Sequence, residues 1–383
     1  MHQRLNFLLP LAALFLLSSC GGGGSTASSS AGATSVVAFT GPIAGIGSIV
    51  VNGVRFETVG ISVKDSDDMY GSSLFKSPLS LGMTVALAGD VDETALTGTS
   101  REIRVIGGVR GILSAITSTT ITTASGQSVT VDVNTVYAGI RSTLAALQVS
   151  DAVEIFGVNQ SNGDFLATRV VSSLSISATN KLVIRGTIQS ISSNNYVVKT
   201  SSSPNDIVTV ACDTPCLILP SGATLTAASS SVAGTPVRVV ALDTTSLTGG
   251  VLTAVKIQSL SPEKLTEFNG FSVTYAKIKG YTTQIASDWY VGGVKVTGLP
   301  LASTSVGQFL EVKGVWVGNV LQATKVETEN DRTVDSHRYK NEFYGKVSGL
   351  LGSTFIVQGV TVNASSAIFS GGTLSTLAND NYV

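Results

Sequence analysis

One short motif returns five times along this chain and governs most of what can be read from it. A glycine is followed two and five positions later by an aliphatic residue: Gly41-x-Ile43-x-x-Ile46, Gly111-x-Leu113-x-x-Ile116, Gly186-x-Ile188-x-x-Ile191, Gly280-x-Thr282-x-x-Ile285 and Gly345-x-Val347-x-x-Leu350. The fourth copy is the weakest, with Thr282 at the inner apolar position. The starts lie 65 to 94 residues apart, too far and too unevenly for a solenoid. Such spacing suits a row of small domains, each with its own core.

Each copy then repeats the same order of events. The opening strand leads into an alternating hairpin: Ile49 to Phe56 around Asn52-Gly53, Trp289 to Val296 around Gly292-Gly293, and Phe355 to Val362 around Gln358-Gly359. Two-residue connections of this type favour tight hairpins because both positions need positive φ. The second and third copies lengthen the turn, to Ala124–Gln127 and Ser201–Asp206, as a surface turn can. Next comes a linker expected to be helix-like or irregular, such as Ser73 to Leu81 and Ser142 to Val149. A fourth strand is expected at Met83–Gly89, Ala152–Gly157, Pro236–Ala241 and Phe309–Gly314. A fifth follows at Ser100–Ile106, Leu166–Val171, Leu252–Ile257 and Leu321–Glu327.

Three strands, a connector and two more strands give the order of a five-stranded OB-type barrel, and closure removes exposed sheet edges. The expected architecture is therefore all-β, with tandem small OB-like barrels over 39–107, 108–178, 179–261 and 262–329. A charged linker covers 330–341 and a partial fifth copy 342–383. A small antiparallel sandwich is the alternative. An integral outer-membrane barrel fits poorly, since aromatic residues make up 6% of the chain and the strands are short. The fifth copy stops at Asn381-Tyr382-Val383, where its fourth strand should begin. A truncated gene product or a poorly ordered last repeat is the expectation there. The segment from Ser261 to Ala276 has no counterpart in the other copies.

Gly45-x-Gly47-Ser48-Ile49-Val50-Val51-Asn52-Gly53-Val54-x-Phe56, followed by Leu81-x-Met83-x-Val85-x-Leu87-x-Gly89, resembles bacterial lipoproteins with tandem small β-barrel repeats, a domain of unknown function. The resemblance implies an OB-like fold and a lipid anchor. It implies no reaction, and it transfers no site residue except Cys20.

The N-terminus has its own logic. Arg4 precedes an apolar run from Leu5 to Leu17, and Leu17-Ser18-Ser19-Cys20 resembles the bacterial lipobox. Residues 1–19 read as a signal peptide and Cys20 as the lipid-attachment site. Residues 20–38 form a flexible tether rich in Gly, Ser and Ala. Acyl chains on Cys20 would make the membrane a partner. Gly21 after the cysteine points to the outer membrane, on its periplasmic or cell-surface side.

Charged residues are scarce, at 13%, and the formal charge is −1. That leaves no electrostatic footprint for nucleic acid. Catalytic residues are not assembled either. His337 stands beside Asp335 and Ser336 in a charged linker, where neighbours in sequence cannot converge as a triad. Lys64-Asp65-Ser66-Asp67-Asp68 lacks the full spacing of a calcium loop and reads as a solvated turn. Cys212 and Cys216 remain as an even pair once Cys20 is lipidated, and a local disulfide is the natural reading. No cofactor and no metal is implied.

The one aromatic concentration is in the fourth copy: Tyr281, Trp289, Tyr290 and Trp316. Trp289 and Tyr290 should fall on strands two and three, the OB face that binds sugars and oligonucleotides. Adjacent strand residues point to opposite faces, so one of the two belongs to the core. Trp289, Tyr290 and Tyr281 are the ligand-binding candidates. The expected role is non-enzymatic: a lipid-anchored envelope protein binding a glycan, a peptide or another envelope protein. A passive spacer or, less consistent with the residues, an envelope hydrolase are the alternatives.

Overall fold

The structure, a computed structural model, describes residues 36–65, 77–160, 162–174, 181–212, 216–219, 234–242, 247–248, 250–259, 265, 267–268, 271–328, 342–343, 345–357 and 360–383. Cys20, residues 20–35 of the expected tether and the charged run 330–341 with His337 lie outside these residues, as do Ser66, Asp67 and Asp68. Val36, Val37 and Ala38, expected in the tether, instead open the first strand, because their alternating apolar side chains pack into the fold. Residues Ser35–Val383 form one compact unit.

Four closed five-stranded barrels follow one another. Barrel 1 uses Val36–Ile46, Ile49–Val51, Val54–Glu57, Thr84–Asp92 and Thr97–Val105 as strands one to five. Barrel 2 uses Val109–Ile116, Thr120–Thr123, Ser128–Thr130, Ala152–Asn159 and Phe165–Ser173. Barrel 3 uses Leu182–Ser192, Asn195–Lys199, Ile207–Ala211, Pro236–Ala241 and Val251–Ser259. Barrel 4 uses Tyr275–Ile285, Asp288–Val291, Val294–Thr297, Phe309–Val317 and Val320–Thr328.

In barrel 1, strand one pairs with two, two with three, three with five in parallel, five with four, and four with one. That circuit, one-two-three-five-four-one, is the OB topology, and the other three barrels close in the same way. Each barrel interior is filled by the inward half of its alternating strands. Phe39, Ile43, Phe56, Leu87 and Ile103 fill barrel 1, and Ile184, Val198, Val210, Val239 and Ile257 fill barrel 3.

The recurring motif owes its form to the start of strand four. The residue two after the motif glycine exchanges backbone hydrogen bonds with a turn in every copy. Ile43 N–H donates to Met83 O and receives from Gly82 N–H. The same pair links Leu113 with Asp151 and Ser150, Ile188 with Thr235 and Gly234, Thr282 with Gln308 and Gly307, and Val347 with Asn381 and Asp380. The turn residue has positive φ all five times: 77° at Gly82, 78° at Ser150, 87° at Gly234, 91° at Gly307 and 67° at Asp380. Left-handed backbone at this point reverses the connector into strand four, which explains the Gly or Ser before strand four in barrels 1 to 4, with Asp380 taking that place in the fifth copy.

Three details differ from the sequence reading. Strand four does not end at its glycine but runs on to Asp92, Asn159 and Val317. The glycine sits opposite a bulge in strand five, where a Cβ on Gly157 would stand 2.2 Å from Leu166 O. Barrel 3 carries Ala241 at the corresponding bulge. Secondly, the connector after strand three is not wholly irregular. Val63–Asp65, Val136–Gly139 and Leu217–Leu219 form short strands parallel to strand five of their barrels. Thirdly, the barrels pack on one another, where a loose row of beads was expected.

Barrels 1 and 2 share a core residue. Phe156, fully buried, points outward from barrel 2 and joins the core of barrel 1. Thr168 Oγ1 donates to Gly82 O and Arg169 to Leu81 O, while Thr84 Oγ1 bonds both the N–H and the C=O of Gly157. Between barrels 2 and 3, the Gln127 amide donates to Thr200 O and accepts from Arg185 N–H. The Arg185 side chain donates to the carbonyls of Gly107 and Gly108 and lies over the Phe165 ring. Barrels 1 and 4 share sheet: Val37–Thr40 pairs in parallel with Tyr275–Ile278. The segment without counterpart also acts here, since Leu265, Phe268 and Val273 pack with Ala38, Ala86 and Ala88 of barrel 1.

The fifth copy holds three strands, Val347–Leu351, Thr354–Val357 and Val360–Asn363, around Val347, Phe355, Val357 and Ala364. Residues 380–383 return to its first strand, with Tyr382 opposite Lys346. This copy is thus an incomplete barrel that enters the first residues of strand four.

Candidate functional site

The aromatic candidates separate. Trp289 faces the core side of strand two in barrel 4 and packs against the cluster of Val291, Val294 and Val296. Strand alternation sets it in step with Val291, partly buried at the edge of that cluster. Tyr290 takes the outer face instead. Burial raises its hydroxyl pKa above the ordinary value, Asp288 adds to this, and Lys295 opposes it. Beside it, Lys295 Nζ donates to Asp288 Oδ2 at 2.6 Å, closing that pair on itself. Tyr281 is buried, edge-on to Phe309 with ring centroids 5.1 Å apart.

Tyr281 and Tyr290 nevertheless belong to one neighbourhood. Barrels 1, 2 and 3 carry a bulge in strand one just after the motif's first aliphatic residue, and barrel 4 has none there. Without it, Tyr281 and Thr283 stay on the same outer face, and Thr283 sits directly opposite Tyr290. Barrel 4 also differs at Thr282. Its hydroxyl turns back to Ser305 O and Gln308 O, so the weakest copy of the motif substitutes a hydrogen-bonding anchor for an aliphatic one.

Tyr281 and Thr283 line a cleft of about 260 Å³ where barrels 2, 3 and 4 meet. Barrel 2 contributes the turn between strands four and five, with Asn159, Gln160, Asn162 and Gly163. Barrel 3 forms the floor with Gly186, Thr187, Lys199, Ser201, Gly234 and Pro236. Barrel 4 adds the end of strand one with Gln284 and Ile285, and Gly293 of its hairpin turn. The loops after strands one and four are the ones OB barrels use to hold ligands, here supplied by two different barrels to a third.

Polar side chains in this cleft are largely uncommitted. Asn162 is spent on Asp164 within its own turn, and Ser201 on Asp206. Among the described residues, Asn159, Gln160, Thr187, Lys199, Thr283 and Gln284 make no side-chain hydrogen bond. All but Gln284 are half-buried. Among the described residues, no Asp or Glu lines the cleft and Lys199 is its one cation, so the described lining offers mainly neutral donors and acceptors. Only the aromatic part of this site could be found in sequence, because the amides come from barrels far apart in the chain.

Of the remaining candidates, Cys212 and Cys216 are joined in a disulfide with Cα atoms 5.3 Å apart, against the core of barrel 3. Lys64 pairs with buried Glu102 at 3.4 Å rather than contributing to an ion-binding turn. Groups of three or more residues able to hold a metal are absent among the described residues.

Comparison with known proteins identifies the repeating unit. A family model described as Domain of unknown function (DUF5666) matches residues 110–171 and 279–327. No curated protein matches the chain. The two matched segments run from strand one to strand five of barrels 2 and 4, so the unit this family describes coincides with one barrel.

Proposed function

We propose that this protein is a non-enzymatic, lipid-anchored protein of the cell envelope that binds a ligand in the cleft between barrels 2, 3 and 4. The observation that carries this reading is the row of uncommitted polar side chains in that cleft, beside junctions where such groups are spent. Amides and hydroxyls that line a concave cleft without a protein partner are available to hydrogen-bond a ligand. The lipobox ending at Cys20 and the following Gly/Ser/Ala tract support anchorage, with the folded unit held off the outer membrane. A passive spacer needs neither packed junctions nor a concave polar site, and both features count against it.

The test has two arms. Membrane fractionation of cells expressing wild type and Cys20→Ala should show the wild type with the outer membrane and the variant in the soluble periplasmic fraction. Equal fractionation would remove the anchor. A screen of the detergent-purified full chain against glycan, peptidoglycan-fragment and peptide panels should return binders. A blank across all panels would favour the spacer.

A further inference from the structure

We infer that the cleft between barrels 2, 3 and 4 takes a short segment of an uncharged oligosaccharide, an inference that rests on the binding role proposed above. Four observations select this class. The free side chains are amides and hydroxyls, Asn159, Gln160, Thr187, Thr283 and Gln284, which both donate and accept as sugar hydroxyls do. Among the described lining residues charge is nearly absent, since Lys199 is the lone cation, and Lys295, opposite Tyr290, is already paired with Asp288. One cation cannot offset the desolvation of a polyanion, and no described lining residue is a carboxylate that could hold a cationic ligand. Thirdly, Tyr290 presents an aromatic surface on the same outer face as Thr283, suited to the apolar face of a pyranose ring.

The fourth observation separates a sugar from a peptide. Extended peptides bind most readily by adding a strand to an open edge. At this cleft the backbone is already paired on both sides: Thr187 lies between Lys199 and Pro236 in the closed barrel. Recognition must therefore come from side chains alone. A volume near 260 Å³ is at the small end for a binding site, matching one part of a chain that enters and leaves rather than an enclosed cofactor.

The test is titration calorimetry of the detergent-purified full chain with maltohexaose, N-acetylchitohexaose, a hexameric polyuronate and an acidic peptide. Variants are Gln160→Ala, Gln284→Ala, Tyr290→Ala and Lys199→Ala, with Lys346→Ala in the fifth copy as control, each checked for an unchanged thermal melt. At least one neutral hexaose should bind. Gln160→Ala or Gln284→Ala should weaken that binding about tenfold, the loss of one hydrogen bond to the ligand. Lys199→Ala should change it less than threefold, and salt should have little effect. If the polyuronate or the peptide binds, is lost in Gln160→Ala, and the neutral hexaoses do not bind, the ligand class is wrong while the binding role stands. If binding survives all four cleft variants, the site is wrong. If none of the four binds, this inference falls, and the binding role falls with it when the glycan, peptidoglycan-fragment and peptide panels are blank as well.

Discussion

Two kinds of boundary between barrels coexist in this molecule, and they treat polar groups in opposite ways. At the junctions of barrel 1 with 2 and barrel 2 with 3, several buried polar groups find partners across the boundary, although Arg169 Nε is left without one: Thr84 with Gly157, Thr168 with Gly82, Gln127 with Thr200 and Arg185. At the cleft of barrels 2, 3 and 4, half-buried amides and hydroxyls face one another across open space. Burying a polar group without a partner costs about 1–3 kcal/mol, so a boundary that only joins barrels should spend its hydrogen bonds. The first boundary is built as structure. The second retains binding capacity.

Substitutions can break or sharpen this contrast. The largest effect is expected from Phe156→Ala, which empties a fully buried site in the core of the neighbouring barrel. Chemical denaturation should show a loss of about 3–5 kcal/mol. A loss below about 1 kcal/mol would mean that barrels 1 and 2 are not held by packing. Next comes Gly82→Ser. A Cβ at Gly82 would stand 2.4 Å from Thr168 O in barrel 2, so the change should cost about 1–3 kcal/mol by overpacking.

Gln127→Ala should cost about 1–3 kcal/mol, since it leaves Arg185 N–H and Thr200 O buried without that partner. The reverse of the glycine experiment is smaller. Ser150 holds the same left-handed turn position in barrel 2 as Gly82 in barrel 1, but it is exposed. Ser150→Gly should raise stability by at most about 1 kcal/mol, read as a small upward shift of the melting temperature. Smallest of all, Gln160→Ala and Gln284→Ala should change stability by no more than about 0.5 kcal/mol while weakening ligand binding. A stability loss comparable to that of Gln127→Ala would make the cleft another structural junction.

Much of the barrel was legible in the sequence because its signals are local. Asn52-Gly53 and Gly292-Gly293 adopt positive φ at both positions, as tight hairpin turns require. The alternation of Val291, Val294 and Val296 marks an inward face without any tertiary information. Alternation also required Trp289 and Tyr290 to diverge, but only the register of their hairpin decided that Trp289 goes inward. A weak clue to the barrel junction was present at Ile155-Phe156, two large apolar residues in succession where one must face out. It named no partner, because an outward phenylalanine can pack on any neighbouring surface.

The chain by itself therefore determined the unit: a five-strand order written in turn residues, alternating strands and a glycine or serine before strand four. Those features act over a few residues, through backbone sterics and strand alternation, and so survive in all four complete barrels. Only the tertiary structure decided which barrel faces became junctions and which became a cleft. That choice depends on how Phe156, Arg185 and Gln127 meet residues of other barrels, and on the missing bulge in strand one of barrel 4. Contacts between side chains so distant in sequence leave no period and no spacing to read.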